Sequence, residues 1–133
     1  MKRFGLEPTQ QIFIQGYSNQ MANQDSNSVP EIDVLEAKRR VDEGAFFIDV
    51  REQNEYDEEH IPGATLVPLS EFMRRYEGDL PEDKNEEVVV HCRSGARSAQ
   101  AVTFLRENGY NAVNVEGGIL AWKNADLPTE RSS

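Results

Sequence analysis

The sequence predicts an α/β domain built on an open parallel sheet with both faces covered. Two observations carry this. From residue 29 onward, short apolar runs of strand length alternate with helical stretches, the element order of a layered α/β fold. The runs AFFIDV (45–50), ATLV (64–67), EVVVHC (87–92) and AVNV (112–115) are almost continuously apolar rather than alternating. That is the pattern of strands covered on both sides. In such sheets ligands bind beyond the carboxyl ends of the strands. Cys92 ends one run and Asp49 lies near the end of another, so both are expected on one rim.

The chain has 133 residues, a length that suggests one domain. Residues 1–28 are rich in Gln, Asn and Ser and are expected to be a flexible tail. Within it, QQIFIQGY is a candidate short strand or docking segment, and Met21 a candidate alternative start. The domain is expected over 29–129, with a C-terminal tail at 130–133. Asp33, with Glu36 three residues on, reads as the cap of a helix whose apolar face is Val34, Ala37 and Val41. Gly44 supplies its stop. Residues 52–59 predict a short polar helix, broken by Ile61-Pro62-Gly63. Ser70 is expected to cap a helix over EFMRRY, and Pro81 to Asn85 to turn. EVVVHC is β-branched, apolar and short, the strongest strand signal in the chain. A loop leads from it into a helix with Ala99, Val102 and Leu105 on one face and Gly109 at its end. Gly117-Gly118 turns the chain into a last helix containing Trp122, and Pro128 ends the domain.

Composition narrows the function. The formal net charge is −10, which repels phosphate backbones and anionic membrane surfaces, so neither nucleic acid nor membrane is an expected partner. The acidic stretch Glu52 to Glu59 reads first as a solvated face and second as a contact for a partner protein. No apolar stretch approaches the roughly 18 residues that would span a bilayer. Residues 6–14 are too broken by Pro8, Gln10 and Gln11 for a signal-peptide core, so a cytoplasmic protein is expected. The chain holds 1 cysteine, which excludes an internal disulfide and a cysteine zinc site. His60 and His91 are far apart. His60 is expected to shape a turn, His91 to be a packed core histidine facing away from Cys92 by strand alternation, and Trp122 to anchor the core. A monomer is the default expectation.

The segment Cys92-Arg93-Ser94-Gly95-Ala96-Arg97-Ser98 carries the chemistry. It joins an apolar strand to an amphipathic helix, and a tight loop there points successive backbone N–H groups inward at a helix N-terminus, making an anion cradle. Gly95 allows backbone angles closed to other residues. Arg93 and Arg97 add positive charge, Ser94 and Ser98 offer hydroxyl donors, and the loop contains no acid. These groups favour thiolate over thiol, so Cys92 is expected to be a reactive cysteine of lowered pKa rather than an inert buried one. Asp49 is expected in a supporting role, holding Arg51 or the loop.

This loop resembles the active-site loop of the rhodanese family. DVRE (49–52), HIPGA (60–64) and EGGILAW (116–122) resemble three further signatures of that family, in the right order. The resemblance spans about Val29 to Pro128. It implies a five-stranded parallel sheet with helices on both sides. It also implies a two-step sulfur transfer needing no metal or organic cofactor. Cys92 thiolate would take the outer sulfur of a small anionic donor such as thiosulfate, or of another persulfide. The cradle would hold the resulting persulfide, and a thiophilic acceptor, cyanide, a thiol or a protein, would remove it. Arg97, with Arg93, would recognise the donor.

Two rivals remain. Cysteine-loop phosphatases and arsenate reductases act on tetrahedral oxyanions and resemble Cys-x5-Arg. Here that sixth position is Ser98 and the arginine comes one earlier, so the loop is one residue short. A single cysteine also leaves no internal resolving thiol. A non-catalytic interaction module would keep the fold, but it has no need of a cysteine in a cationic loop.

Overall fold

The computed structural model describes residues 28–132. Its elements are β1 (Glu31–Ile32), α1 (Val34–Asp42), β2 (Phe46–Asp49), α2 (Gln53–Glu58), β3 (Thr65–Leu66), a 3-10 turn (Leu69–Glu71), α3 (Phe72–Asp79), β4 (Glu87–His91), α4 (Ala96–Glu107), β5 (Asn111–Val115) and α5 (Gly118–Asn124). The five strands form one sheet in the order β1-β5-β4-β2-β3, parallel throughout. This is the α/β architecture the apolar runs predict. The fifth strand, β1, carries no periodicity signal because only two residues pair, Glu31 with Asn114 and Ile32 with Val115.

Strand alternation splits the core into two layers. Ile48, Val88, Val90 and Ala112 face α3 and α4, packing with Phe72, Ala101, Val102 and Leu105, and Cys92 ends this layer. Phe47, Val89, Val113 and Val115 face α1 and α5, packing with Val34, Ala37, Ile119 and Trp122. Central strands buried on both faces explain the unbroken apolar runs. Trp122 is a core anchor, 1% exposed, with its indole N–H donating to the Pro128 carbonyl.

Three local expectations change. Ser70 does not cap a helix: it sits in the 3-10 turn, and its hydroxyl donates to Glu52 Oε1 at 2.6 Å. Glu52 already forms a capping box with Glu55 at the start of α2, so one carboxylate ties the two segments together. The buried face of α4 is Ser98, Ala101, Val102 and Leu105, a serine leading it instead of Ala99. The chain also stays pinned beyond Pro128. Glu130 and His60 exchange two backbone hydrogen bonds of 2.8 Å, and Ser132 N–H donates to the Asp57 carbonyl. The candidate strand QQIFIQGY and Met21 lie outside the described residues. Among the described residues no helix is long and apolar enough to cross a membrane.

Candidate active site

Register builds the rim. Asp49 and His91 are paired partners at the ends of β2 and β4, so the next residue, Cys92, emerges at the carboxyl edge of the sheet centre. Alternation sends His91 to the α1/α5 side, where its ring lies 5.1 Å from Phe47, and Cys92 to the α4 side. The loop then closes on the sulfur. Gly95 N–H donates to Cys92 Sγ at 3.1 Å, and Ser98 Oγ lies 3.3 Å from it. Gly95 makes this turn at φ 113°, a conformation that side chains with a Cβ resist. Burial pushes the Cys92 thiol up, but the Ser98 hydroxyl and the N–H groups of Ser98, Gly95 and Ser94 together outweigh it, so the net shift is downward. The cysteine is buried at the floor of the loop, while Arg93, Ser94 and Ala96 are exposed above it.

The Gly117-Gly118 pair holds the outside of this loop. Ile119 and Leu120 N–H groups at the start of α5 donate to the carbonyls of Cys92 and Arg93 at 2.9 and 3.2 Å. So close an approach leaves no room at Gly118, where a Cβ would collide with both carbonyl oxygens. The EGG sequence is thus a backbone clamp on the cysteine loop.

The two loop arginines differ. Arg97 does not stand free for a donor: its guanidinium makes a two-point pair with Glu55 of α2 at 2.8 and 2.9 Å. That pair holds the Glu55 carboxyl down at about 2, against a smaller opposing effect of burial. Arg93 is exposed, and among the described residues it makes no ion pair. It borders a groove of about 210 Å³ that Glu55, Glu58, Ile119, Leu120 and Lys123 also line.

Asp49 and Arg51 are buried together. Arg51 Nε and Nη2 donate to both Asp49 oxygens at 2.8 to 3.1 Å, and Nη2 also reaches the Glu59 carbonyl at 2.8 Å. The pair fastens α2, and with it Glu55, to the end of β2. Beside it, His91 Nδ1 contacts the Cys92 carbonyl at 3.1 Å, which fixes the ring proton on Nδ1. Among the described residues Nε2 has no hydrogen-bond partner, and it lies 3.5 Å from Asp49. Burial lowers the pKa of His91, so the ring is neutral near pH 7 and this approach is not an ion pair. His60 is stacked flat on Tyr56 at 3.9 Å and faces Glu130.

Sequence reasoning missed Asn114 and Glu31. Asn114 is fully buried in β5 and accepts from Ser98 Oγ at 2.5 Å, while its amide donates to Glu31 Oε2 and Gly95 O at 3.0 and 3.2 Å. The signal was the lone polar residue of the apolar run AVNV.

A cysteine at the end of a central parallel strand, seated in a loop that opens an α-helix and turns a backbone N–H onto the sulfur, defines an α/β domain with a cysteine cradle at its carboxyl rim. The chain belongs to the rhodanese-like domain family, whose family model matches residues 33–125. It is 38% identical over 103 residues to a sulfurtransferase of Allochromatium vinosum, covering 75% of this chain and 94% of that one. It is 42% identical over 73 residues to the thiosulfate sulfurtransferase PspE of Escherichia coli, covering 55% and 69%. A crystal structure of a rhodanese-related protein from Thermoplasma volcanium superposes with a TM-score of 0.70 at 32% identity, over 76% of this chain and 97% of that one.

Proposed function

We propose that this chain is a sulfurtransferase that carries sulfane sulfur as a persulfide on Cys92. The observation that carries the reading is the Gly95 N–H aimed at Cys92 Sγ at 3.1 Å within a loop that lowers the thiol pKa. In the first half-reaction the thiolate attacks the outer sulfur of thiosulfate. An S–S bond forms to Cys92, the S–S bond of the donor breaks, and sulfite leaves with the bonding pair. Charge then rests on the outer persulfide sulfur, where the N–H groups of the loop favour it, as an oxyanion hole favours oxygen. In the second half-reaction cyanide or a thiolate attacks that sulfur, and Cys92 thiolate departs. Arg93 draws the anionic donor to the rim.

Steady-state thiocyanate formation from thiosulfate and cyanide tests the reading, with Cys92→Ala alongside. Turnover by the wild type alone is expected. A rate equal to that of the variant would overturn the thiosulfate assignment. The phosphatase alternative fits poorly, since Arg97, the loop arginine one position short of the one such enzymes use, is already bound at two points by Glu55.

A further inference from the structure

A hydroxyl has one proton, and Ser98 faces three acceptors. Cys92 Sγ lies at 3.3 Å, Gly95 O at 3.2 Å and Asn114 Oδ1 at 2.5 Å. The shortest of these contacts takes the proton at rest. The orientation of the Asn114 amide is set independently, because its NH2 group must face Glu31 Oε2 and Gly95 O, both of which can only accept. Oδ1 is thereby left pointing at Ser98. Both Ser98 and Asn114 are fully buried, so water does not relieve the competition. When Cys92 ionises, the same proton is the nearest hydroxyl hydrogen bond available to the sulfur.

We propose that Asn114 is a positioning residue that competes with Cys92 for the single Ser98 proton, with Glu31 of the edge strand fixing the amide that does so. With Cys92 as thiol, Ser98 donates to Asn114 and offers a lone pair to the S–H. With Cys92 as thiolate, the hydroxyl turns to the sulfur and the Asn114 bond is given up. On the proposed sulfur-transfer reading, formation of the persulfide moves the charge to the outer sulfur and returns the hydroxyl to Asn114. The proton thus toggles once per half-reaction. Asn114 restrains the resting thiol, and its removal makes the cysteine more reactive. The other charged groups around Cys92 are Arg93, exposed on the loop, Arg97 paired with Glu55, and Asp49 paired with Arg51 beside neutral His91. None of these pairs includes Asn114 or Glu31.

The test is the pH profile of Cys92 alkylation by iodoacetamide, which reads the thiolate directly and does not depend on sulfur transfer. Asn114→Ala is expected to move the midpoint down and to speed alkylation roughly threefold below it, the effect of freeing one ordinary hydrogen bond. Asn114→Asp, a stronger acceptor bearing charge, is expected to move it up. In a Ser98→Ala background, Asn114→Ala is expected to change nothing. Glu31→Ala is expected to shift the profile in the direction of Asn114→Ala, and as an exposed edge residue it keeps the test available if the Asn114 variants fail to fold. An upward shift in Asn114→Ala, no shift in Glu31→Ala, or equal shifts with and without Ser98 would overturn the proposal. If these shifts appear but thiosulfate yields no persulfide, the sulfur-transfer reading falls while the proton competition stands.

Discussion

Gly118→Ala tests whether the α5 clamp shapes the cysteine loop. The new Cβ would collide with the carbonyls of Cys92 and Arg93, both backbone atoms, so no flexible side chain can move aside. Gly118 also sits at φ 56°, in the left-handed region, which costs a residue with a Cβ about 1–2 kcal/mol. Relieving the collision separates α5 from the loop and forfeits the two hydrogen bonds from Ile119 and Leu120, each worth about 1 kcal/mol. Together these reach roughly 3–4 kcal/mol, which lowers Tm by on the order of 10–15 °C for a domain of this size. The loop atoms that surround the sulfur shift with the clamp. Sulfur transfer is therefore expected to fall about 100-fold, the order expected for a misplacement near 1 Å. Gly78→Ala is the control, since that glycine lies exposed in α3 with none of the described residues within 4 Å of its Cβ position. It should gain up to about 1 kcal/mol from helix propensity and keep full activity. Differential scanning calorimetry and thiocyanate assays read both variants. A Gly118→Ala protein with wild-type Tm and rate would refute the clamp.

Three further outcomes follow from the site. Arg93→Ala should raise the KM for thiosulfate about fivefold with kcat little changed, because the exposed cation acts on donor binding rather than on the transferring sulfur; initial-rate kinetics decide this. Asp49→Asn leaves the Arg51 guanidinium buried with half its pairing and should cost about 3–5 kcal/mol in a denaturant titration, whereas a loss below about 1 kcal/mol would show the pair to be incidental. The Glu55 carboxyl is lowered from 4.5 to about 2 by Arg97. The stability it contributes is therefore complete above about pH 4.5 and lost as the pH falls toward 2. Wild type and Glu55→Gln should accordingly differ in Tm at pH 6 and converge near pH 2.

Much of the fold was legible because β4, β2 and β5 are buried on both faces and their buried residues are apolar but for Asp49, His91 and Asn114. β1 was not legible, since two edge residues carry no period. Ser70 misled because its hydroxyl serves Glu52, a contact 18 residues away that no local pattern reveals. At the site, the cysteine, Gly95 and Ser98 were readable from a strand, loop and helix in sequence. The partner of Arg97 was not, since Glu55 lies 42 residues away in a stretch that reads as a solvated face. Asn114 was visible as a polar interruption of an apolar strand, but its meaning depends on α4 crossing above it.

Intact-mass measurement after incubation with thiosulfate tests the persulfide most directly, with the wild type and Cys92→Ala compared before and after cyanide. The expected result is a gain of one sulfur atom in the wild type alone, lost again on adding cyanide with release of thiocyanate. A folded wild-type protein that gains no sulfur from thiosulfate or from any persulfide donor would contradict sulfur carriage by Cys92.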